Sequence, residues 1–331
     1  MKPQRSGFAV WFGSLGLAML TASGVASTAQ AQVVQPGQAA QEQDEDAADA
    51  TRAEQTRAAE GPTSRVPSYA AQPNYETIVR GEIAENDPIG SYDQPRWTAS
   101  RLFPTTRVYV LPAKTIQLEY WLDTVMPFST PSDVRFRNLY EVEMGLGYRL
   151  QLDLYVRTEQ QGDQGPLAVE SEKLELRWAL ADWGVIPGNP TLYFEASRFT
   201  DGPATLESKL LLGGNIGGRL HWGANLVFEH DLWGDALANQ YGVTGGISYA
   251  LIDRVFSLGA ELQVESTDQG KHVRNKLDEL WVLAGPTIQW RPVPPAHVDL
   301  VALVGGLGER DTDKLKFKAG MRPLLVVGWE L

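Results

Sequence analysis

The stretch LQLDLYV at residues 150–156 alternates apolar and polar side chains without a break. Successive side chains of a β-strand point to opposite faces of the sheet, so this period of two predicts a strand with one apolar and one polar face. The same pattern occurs at IQLEY (116–120), YEVEM (140–144) and LELRWAL (174–180). These stretches predict that the chain from about residue 114 onward consists of amphipathic strands.

Further stretches of this kind follow, which brings the expected number of strands to about 12. Each is close to the ~9–11 residues that a tilted membrane-spanning strand needs. They lie around residues 192–196, 206–212, 220–228, 241–251, 256–264, 280–290, 298–304 and 321–331.

The connections between these strands alternate in length, with one exception at 182–190. Long polar connections at one end of a sheet and tight turns at the other are typical of an antiparallel up-and-down β-barrel with both termini on the tight-turn side. The expected long connections are 127–133, 160–171, 231–240, 267–275 and 308–314, with a shorter one at 200–204, and the expected tight turns are 148–149, 215–218, 251–254 and 291–295.

The two faces of the strands predict two environments. A soluble sandwich also has amphipathic strands, but here the polar face carries charges in mid-strand, and aromatic residues such as Tyr148, Trp183, Trp222, Trp290 and Trp329 lie near strand ends. This pattern favours a barrel with lipid outside and a polar lumen inside. The charged residues expected to line the lumen are Glu119, Glu141, Glu143, Asp153, Arg157, Glu175, Arg177, Glu195, Glu207, Lys209, Glu229, Glu261, Glu265 and Arg322.

The first 31 residues have the three parts of a secretory signal peptide. Lys2 and Arg5 precede an apolar run at 8–20, and Ala29-Gln30-Ala31 supplies the small residues that a signal peptidase requires. The run is too short to span a bilayer, so we expect export and cleavage after Ala31.

Two segments separate the signal peptide from the barrel at 113–331. Residues 32–64 consist mainly of Gln, Ala, Glu and Asp, which predicts a disordered acidic linker. Residues 65–112 contain aromatic residues, prolines and four arginines, which predicts an irregular segment that either tethers the barrel in the periplasm or enters its lumen as a plug. The arginines that would carry such a plug are Arg80, Arg96, Arg101 and Arg107.

Composition excludes several function classes. The formal charge of −12 argues against a nucleic-acid partner, because phosphate binding needs clustered Lys and Arg. The chain has no Cys, so a disulfide framework or a thiolate metal site cannot form. The spacing of His and carboxylate residues matches no zinc or calcium motif, so neither a metal site nor a cofactor is expected.

The last strand carries a family resemblance. Met321, Leu325, Val327, Trp329 and Leu331 share one face of a strand that runs to the chain end. This strand resembles the closing strand of bacterial outer-membrane β-barrel proteins, although that family usually ends in Phe or Trp. The resemblance covers about residues 114–331. Within it the layout of strands is similar to that of small porin-like and transporter-like barrels, but no subfamily is assigned. It implies outer-membrane lipid as surroundings and Val327, Trp329 and Leu331 as the signal that the barrel-assembly machinery reads.

An enzyme is a less favoured alternative. Some outer-membrane barrels hydrolyse lipids with Ser, His and Asn on the outer face, and Ser208 and His230 share the parity of that face. With a turn centred near Ile216, the two side chains would lie roughly 20 Å apart at ~3.4 Å per residue, too far for a nucleophile and its base. We therefore expect no catalytic residues.

The sequence thus favours a channel or transporter-like barrel for small solutes, whose acidic lumen raises the local concentration of cations. The alternative is a non-conducting structural or surface-interaction barrel that works through its long loops. A lipid-modifying outer-membrane enzyme is the third hypothesis.

Overall fold

The computed structural model describes residues 83–331 except 130–133, 163, 234–236, 269–276 and 312–313. The predicted signal peptide at 1–31, the linker at 32–64 and Arg80 therefore lie outside the described residues. Among the described residues, no helix is long and apolar enough to cross a membrane.

Twelve antiparallel strands close into one barrel, which confirms the fold class and the strand count expected from the sequence. The first and last strands of the barrel pair with each other, so the sheet has no free edge. Ahead of the barrel lie two 3₁₀ turns, Ala84–Asn86 and Arg96–Ala99, and a short ladder of β1 (Pro88–Ile89) and β2 (Gln94–Pro95). The barrel strands are β3 (Ile116–Pro127), β4 (Arg135–Gly147), β5 (Leu150–Gln161), β6 (Ala168–Ala179), β7 (Thr191–Phe199), β8 (Ala204–Ile216), β9 (Leu220–Asp231), β10 (Asn239–Ile252), β11 (Phe256–Asp268), β12 (Glu279–Val293), β13 (Ala296–Asp311) and β14 (Lys314–Glu330).

The alternation along β5 shows how the sequence separates the two faces. Gln151 and Asp153 are completely buried inside the barrel, whereas Leu154 and Val156 are more than 40% exposed on its outer surface. Because the same parity holds around the barrel, its outer wall is a continuous apolar surface. Such a surface is stable only against lipid or another apolar phase, and its alternation with a polar interior is the pattern of an outer-membrane barrel.

The connections also separate into two ends. The turn end has tight connections such as Tyr148-Arg149, where both residues have positive φ (52° and 61°) as a tight hairpin requires. The opposite end, here called the long-loop end, has most of the longer connections, such as the one between Gln161 of β5 and Ala168 of β6. The predicted long connection at 308–314 is wrong, since β13 continues to Asp311 and pairs it with Lys314 of β14. Opposite charges on facing residues favour this extension of the ladder.

Residues 83–112, here called the lumen segment, lie inside the barrel. Trp97 and Phe103 are 1% exposed and Val110 is fully buried. The inner wall leaves room through glycines: a Cβ added at Gly213 would lie 2.2 Å from Val108, and one at Gly246 would lie 2.6 Å from Phe103. The lumen segment and the wall therefore approach more closely than side chains at these positions would allow.

A second core fills another part of the lumen. It consists of aliphatic side chains on the inner faces of β3, β12, β13 and β14, flanked by Trp121 and Trp281. These strands are apolar on both faces, which simple alternation does not predict. The members are Val125, Leu283, Val301, Leu303, Leu307, Leu324 and Val326.

Candidate functional site

The lumen segment is fixed at the turn end by its first residues. The backbone N–H groups of Ala84 and Glu85 donate to the carboxylate of Asp253, at 2.8 and 3.0 Å. The carboxylate of Glu85 is 2.6 Å from the guanidinium of Arg291 on β12. Asn86 donates to the carbonyl of Gly218 at 2.7 Å. These bonds connect one short stretch to three different parts of the wall.

Aromatic packing holds the middle of the lumen segment. The Trp97 ring stacks on His221 of β9 with centroids 4.8 Å apart, and it contacts Phe103 and Trp183 edge-on. Its indole N–H donates to Asn215 at 2.8 Å, so the buried polar atom is satisfied. Burial raises the pKa of the Tyr109 hydroxyl, which stays protonated and donates to the carbonyl of Ala181 at 2.6 Å.

The inner wall carries a row of carboxylates that we call the carboxylate belt. Cross-strand register places many of them directly opposite one another: Glu119 faces Glu141, and Glu175 faces Glu195. Facing like charges destabilise a sheet unless cations lie between them. The belt runs across β3 to β9 through Glu119, Glu141, Glu143, Asp153, Glu175, Glu195, Glu207 and Glu229.

Two arginines of the lumen segment supply cations to the belt. The Arg101 guanidinium lies 2.6 Å from Glu119 and 3.1 Å from Glu143, and it stacks 3.9 Å above the Trp121 ring. The Arg107 guanidinium lies 2.6 Å from Glu141 and 2.5 Å from Glu143. Burial alone would lower the pKa of Arg107, but the surrounding carboxylates raise it well above its usual value. Both arginines are therefore charged and hold the segment on the belt.

The wall supplies further cations at other points of the belt. Arg177 contacts Asp153 at 2.7 Å and also pairs with Glu175. Lys173 is 2.7 Å from Glu195, and Lys209 is 2.6 Å from Glu207. Among the carboxylates of β3 and β4, Glu143 also lies 3.6 Å from Arg177, and Glu119 lies 3.4 Å from His297 of β13. The ion pairs of Glu141 are with Arg101 and Arg107, so the lumen segment supplies its compensation.

Carboxylates of the belt come close enough together to suggest metal ligands. Glu119, Glu141 and Glu143 form one such group, and Glu141, Asp153 and Glu175 form another. In both groups arginine guanidinium groups lie against the carboxylates at ion-pair distance. Arginine, rather than a metal ion, thus accounts for this cluster of buried acids.

The charged residues predicted to line the lumen all lie on the inner face, either buried or on the wall of a cavity. Of the predicted plug arginines, Arg101 and Arg107 contact the belt, whereas Arg96 borders a cavity at the turn end. Val327 and Trp329 lie on the outer face of β14, and Leu331 ends the chain beside them; each is more than 40% exposed.

Uncharged polar residues make the contacts that sequence reasoning missed. Asn225 on β9 accepts from the N–H of Arg107 at 2.9 Å and donates to the carbonyl of the same residue at 2.6 Å. Gln289 donates to the carbonyl of Arg101 at 2.7 Å. Thr105 donates to Glu261 from both its N–H and its hydroxyl, at 2.9 and 2.6 Å. The inward parity of these wall residues was the one available signal.

Two cavities, each about 460 Å³, lie on either side of the lumen segment. The outer vestibule opens toward the long-loop end, and its floor includes Arg101, Thr105 and Arg107. The inner vestibule lies at the turn end and is bordered by Ser100, Gln117 and the last residues of the chain. A smaller space of about 30 Å³ borders residues of both vestibules, among them Arg101 and Ser100, so the lumen segment occupies the region between the two cavities.

The predicted separation of Ser208 and His230 is wrong. Ile216 pairs with Leu220, which shifts the turn centre from the expected position near 216 to 218 and places Ser208 opposite Phe228. His230 is then a diagonal neighbour of Ser208, about 7–8 Å away rather than roughly 20 Å. On its other side, Nδ1 of His230 lies 2.9 Å from the side-chain oxygen of Asn239.

A closed barrel with an apolar outer wall and a charged lumen defines the class of the protein: a twelve-stranded β-barrel of the outer-membrane type, whose subfamily is unassigned. No family model and no curated protein matches the chain.

Solved outer-membrane channels resemble it only loosely. The NanC porin is 11% identical, covers 65% of this chain and 100% of its own, with a TM-score of 0.47. An outer-membrane channel of Pseudomonas putida F1 is 10% identical, with coverages of 67% and 97% and a TM-score of 0.47. The KdgM porin in complex with disordered oligogalacturonate is 9% identical, with coverages of 65% and 98% and a TM-score of 0.40.

Proposed function

We propose that the protein is a gated outer-membrane channel for small polar solutes, closed in this conformation by the lumen segment. One observation carries the proposal: Arg101 and Arg107 lie on the carboxylate belt between two cavities of about 460 Å³ each. Apart from its continuation into β3, the segment is held in the lumen by ion pairs, hydrogen bonds and aromatic packing. These contacts are non-covalent and can form and break reversibly.

We also propose that the lumen favours cations only when the lumen segment leaves. In the closed state Arg101 and Arg107 compensate the acids of β3 and β4. Without them, the belt keeps eight carboxylates against three wall lysines and arginines, Lys173, Arg177 and Lys209, with the imidazole of His297 beside Glu119. An acidic passage with low-dielectric walls raises the local concentration of cations.

A cysteine lock tests the gating. The hydroxyls of Thr106 in the lumen segment and Thr244 on β10 are 3.0 Å apart, and the chain has no native Cys. A Thr106→Cys, Thr244→Cys variant should conduct in a planar bilayer when reduced and lose its conductance when oxidised, with each single variant as control. Equal conductance in both states would show that the segment is not the gate. Absence of conductance in both states and in wild type would favour a non-conducting structural barrel.

A lipid-modifying activity is a second candidate, because the observed register places His230 diagonally beside Ser208 on the outer face. The His230–Asn239 contact orients an imidazole whose other nitrogen could act as a base toward Ser208, one strand away on the outer face. The test is turnover of a fluorescent phospholipid by purified protein. A Ser208→Ala variant should abolish any turnover, while Ser266→Ala, a change on the same face of β11, should not. Turnover that survives Ser208→Ala would end this hypothesis.

Delivery to the membrane completes the proposal. We propose export by the signal peptide with cleavage after Ala31, and recognition of Val327, Trp329 and Leu331 by the barrel-assembly machinery. Outer-membrane lipid would then cover the apolar outer wall.

A further inference from the structure

We propose that the outer vestibule binds small zwitterions that carry an ammonium group and a carboxylate at opposite ends, as short peptides do. This inference rests on the proposed channel function and names its class of solute. It is carried by the way in which the charges lining the vestibule are sorted by strand.

Eight basic side chains line the vestibule, and four of them lie on three neighbouring strands, β4, β5 and β6. The other four are Arg101 and Arg107 of the lumen segment, Lys209 of β8 and Arg322 of β14. One lining carboxylate, Glu175, lies on the same three strands as the first four. The five strands from β9 to β13 show the reverse, since every charged residue that they contribute to the lining is a glutamate. The basic arc consists of Arg135, Arg137, Arg157 and Lys173, and the acidic arc of Glu229, Glu265, Glu279 and Glu309.

The closed strand order places the two arcs on opposite sides of the lumen. Around the twelve strands, β11 is six positions from β5, β10 is six from β4 and β12 is six from β6. Glu265 of β11 is thus on the strand opposite Arg157 of β5, and Glu279 of β12 is on the strand opposite Lys173 of β6. Opposite charges on opposite walls direct a field across the vestibule. A cleft between low-dielectric walls focuses such a field and orients a dipolar solute.

Ion pairs with the wall hold the basic arc in place without using all of its donors. Arg137 is 2.8 Å from Glu159, Arg157 is 2.7 Å from Glu170, and Lys173 is 2.7 Å from Glu195. An arginine has five N–H donors and a single carboxylate uses two of them at most, so donors remain for a ligand carboxylate. A simple anion would be attracted by the basic arc and repelled by the acidic arc. A simple cation would be attracted by the acidic arc and repelled by the basic arc.

The width of the barrel indicates the length of the ligand. Twelve strands about 4.8 Å apart and tilted by about 40° give a diameter of roughly 24 Å between opposite backbones. Side chains reaching about 6 Å inward from each wall leave a gap of roughly 12 Å. At about 3.5 Å per residue, an extended peptide of three residues bridges that distance and presents one charge to each arc.

Calorimetry on the full-length protein in detergent tests the inference with three matched probes: triglycine, N-acetyl-triglycine, which lacks the ammonium, and triglycine amide, which lacks the carboxylate. We expect triglycine to bind at least tenfold more tightly than either capped peptide. Equal binding of the three peptides, or no binding of triglycine, would overturn the proposal.

Variants assign each end of the peptide to its arc. A Glu229→Gln, Glu265→Gln variant should remove the preference for triglycine over N-acetyl-triglycine. Arg135→Gln should weaken triglycine at least threefold and leave triglycine amide unchanged. Lys316→Gln, on an exposed side chain outside the vestibule, is the control and should change neither. A heat-modifiable gel shift verifies that each variant is folded, and an effect of Lys316→Gln as large as the others would contradict the assignment.

This experiment measures binding without any current. Triglycine binding by a protein that never conducts would therefore refute the channel and keep the binding site. Conductance without triglycine binding would refute the binding site and keep the channel.

Discussion

The guanidinium of Arg101 lies 2.6 Å from the carboxylate of Glu119, and the two side chains are 2% and 1% exposed. One partner belongs to the lumen segment and the other to the wall, so this contact joins the two parts of the molecule. Breaking a buried ion pair from one side leaves a buried charge without compensation, which costs about 3–5 kcal/mol. The docking of the segment should therefore depend on Arg101 more than on any exposed charge.

Arg101→Gln tests this dependence. We expect the lumen segment to become sensitive to added protease while the barrel keeps its heat-modifiable mobility, because the loss is confined to docking. Arg149→Gln is the control, since Arg149 pairs with Asp182 on the surface, where such a pair contributes about 0–1 kcal/mol. Equal protease sensitivity of the two variants would refute a special role for the buried pair.

Two adjacent glycines of β10 offer a test of position. A Cβ at Gly246 would lie 2.6 Å from the Phe103 ring, whereas one at Gly245 would have its nearest neighbour at 3.7 Å. Gly246→Val should displace the lumen segment, raising its hydrogen exchange and the conductance of the barrel. Gly245→Val, on the opposite face of the same strand, should change neither. A segment equally protected from exchange in both variants would be inconsistent with the packing described above.

The outer wall makes a prediction about depth in the membrane. Leu174 lies at the middle of β6 and Val169 near its long-loop end, and both are about half exposed on the outer face. An arginine at the midplane of a membrane barrel costs about 2–4 kcal/mol, but only about 0–1 near the interface. Leu174→Arg should thus lower the unfolding free energy in lipid vesicles well below that of Val169→Arg. Equal losses would argue that lipid does not cover this face.

The period of two was sufficient to predict about twelve strands. Each strand separates a lipid face from a polar lumen, so every residue must suit one of these two environments. Register was less accessible. The centre of the β8–β9 turn lies two residues after its predicted position, so the cross-strand partner of Ser208 is four residues further along the chain than predicted. The pairing of the two strands, rather than the sequence of the turn, fixes this centre. The end of the β13–β14 hairpin is predicted as a loop because Glu309, Arg310 and Asp311 are consecutive charged residues. In the structure they pair with residues of β14 across the ladder.

The sequence was sufficient to predict which charged residues face the lumen, but not which residues they contact there. Parity placed the carboxylates and arginines on the inner face, since the sign of each side chain and its face are local properties. The matching of Arg101 with Glu119, or of Asn225 with the backbone of Arg107, joins residues 18 and 118 positions apart. Such contacts depend on how the segment folds into the lumen, which no local pattern specifies.

The most direct test of the account is the conductance of a variant that lacks residues 83–112, compared with the full-length protein in planar bilayers under a KCl gradient. A heat-modifiable shift would first show that the shortened barrel is folded. The account predicts a larger, persistently open conductance with a reversal potential that favours K⁺ over Cl⁻, because the carboxylate belt has lost Arg101 and Arg107. A folded barrel with unchanged conductance, or with a preference for Cl⁻, would contradict it.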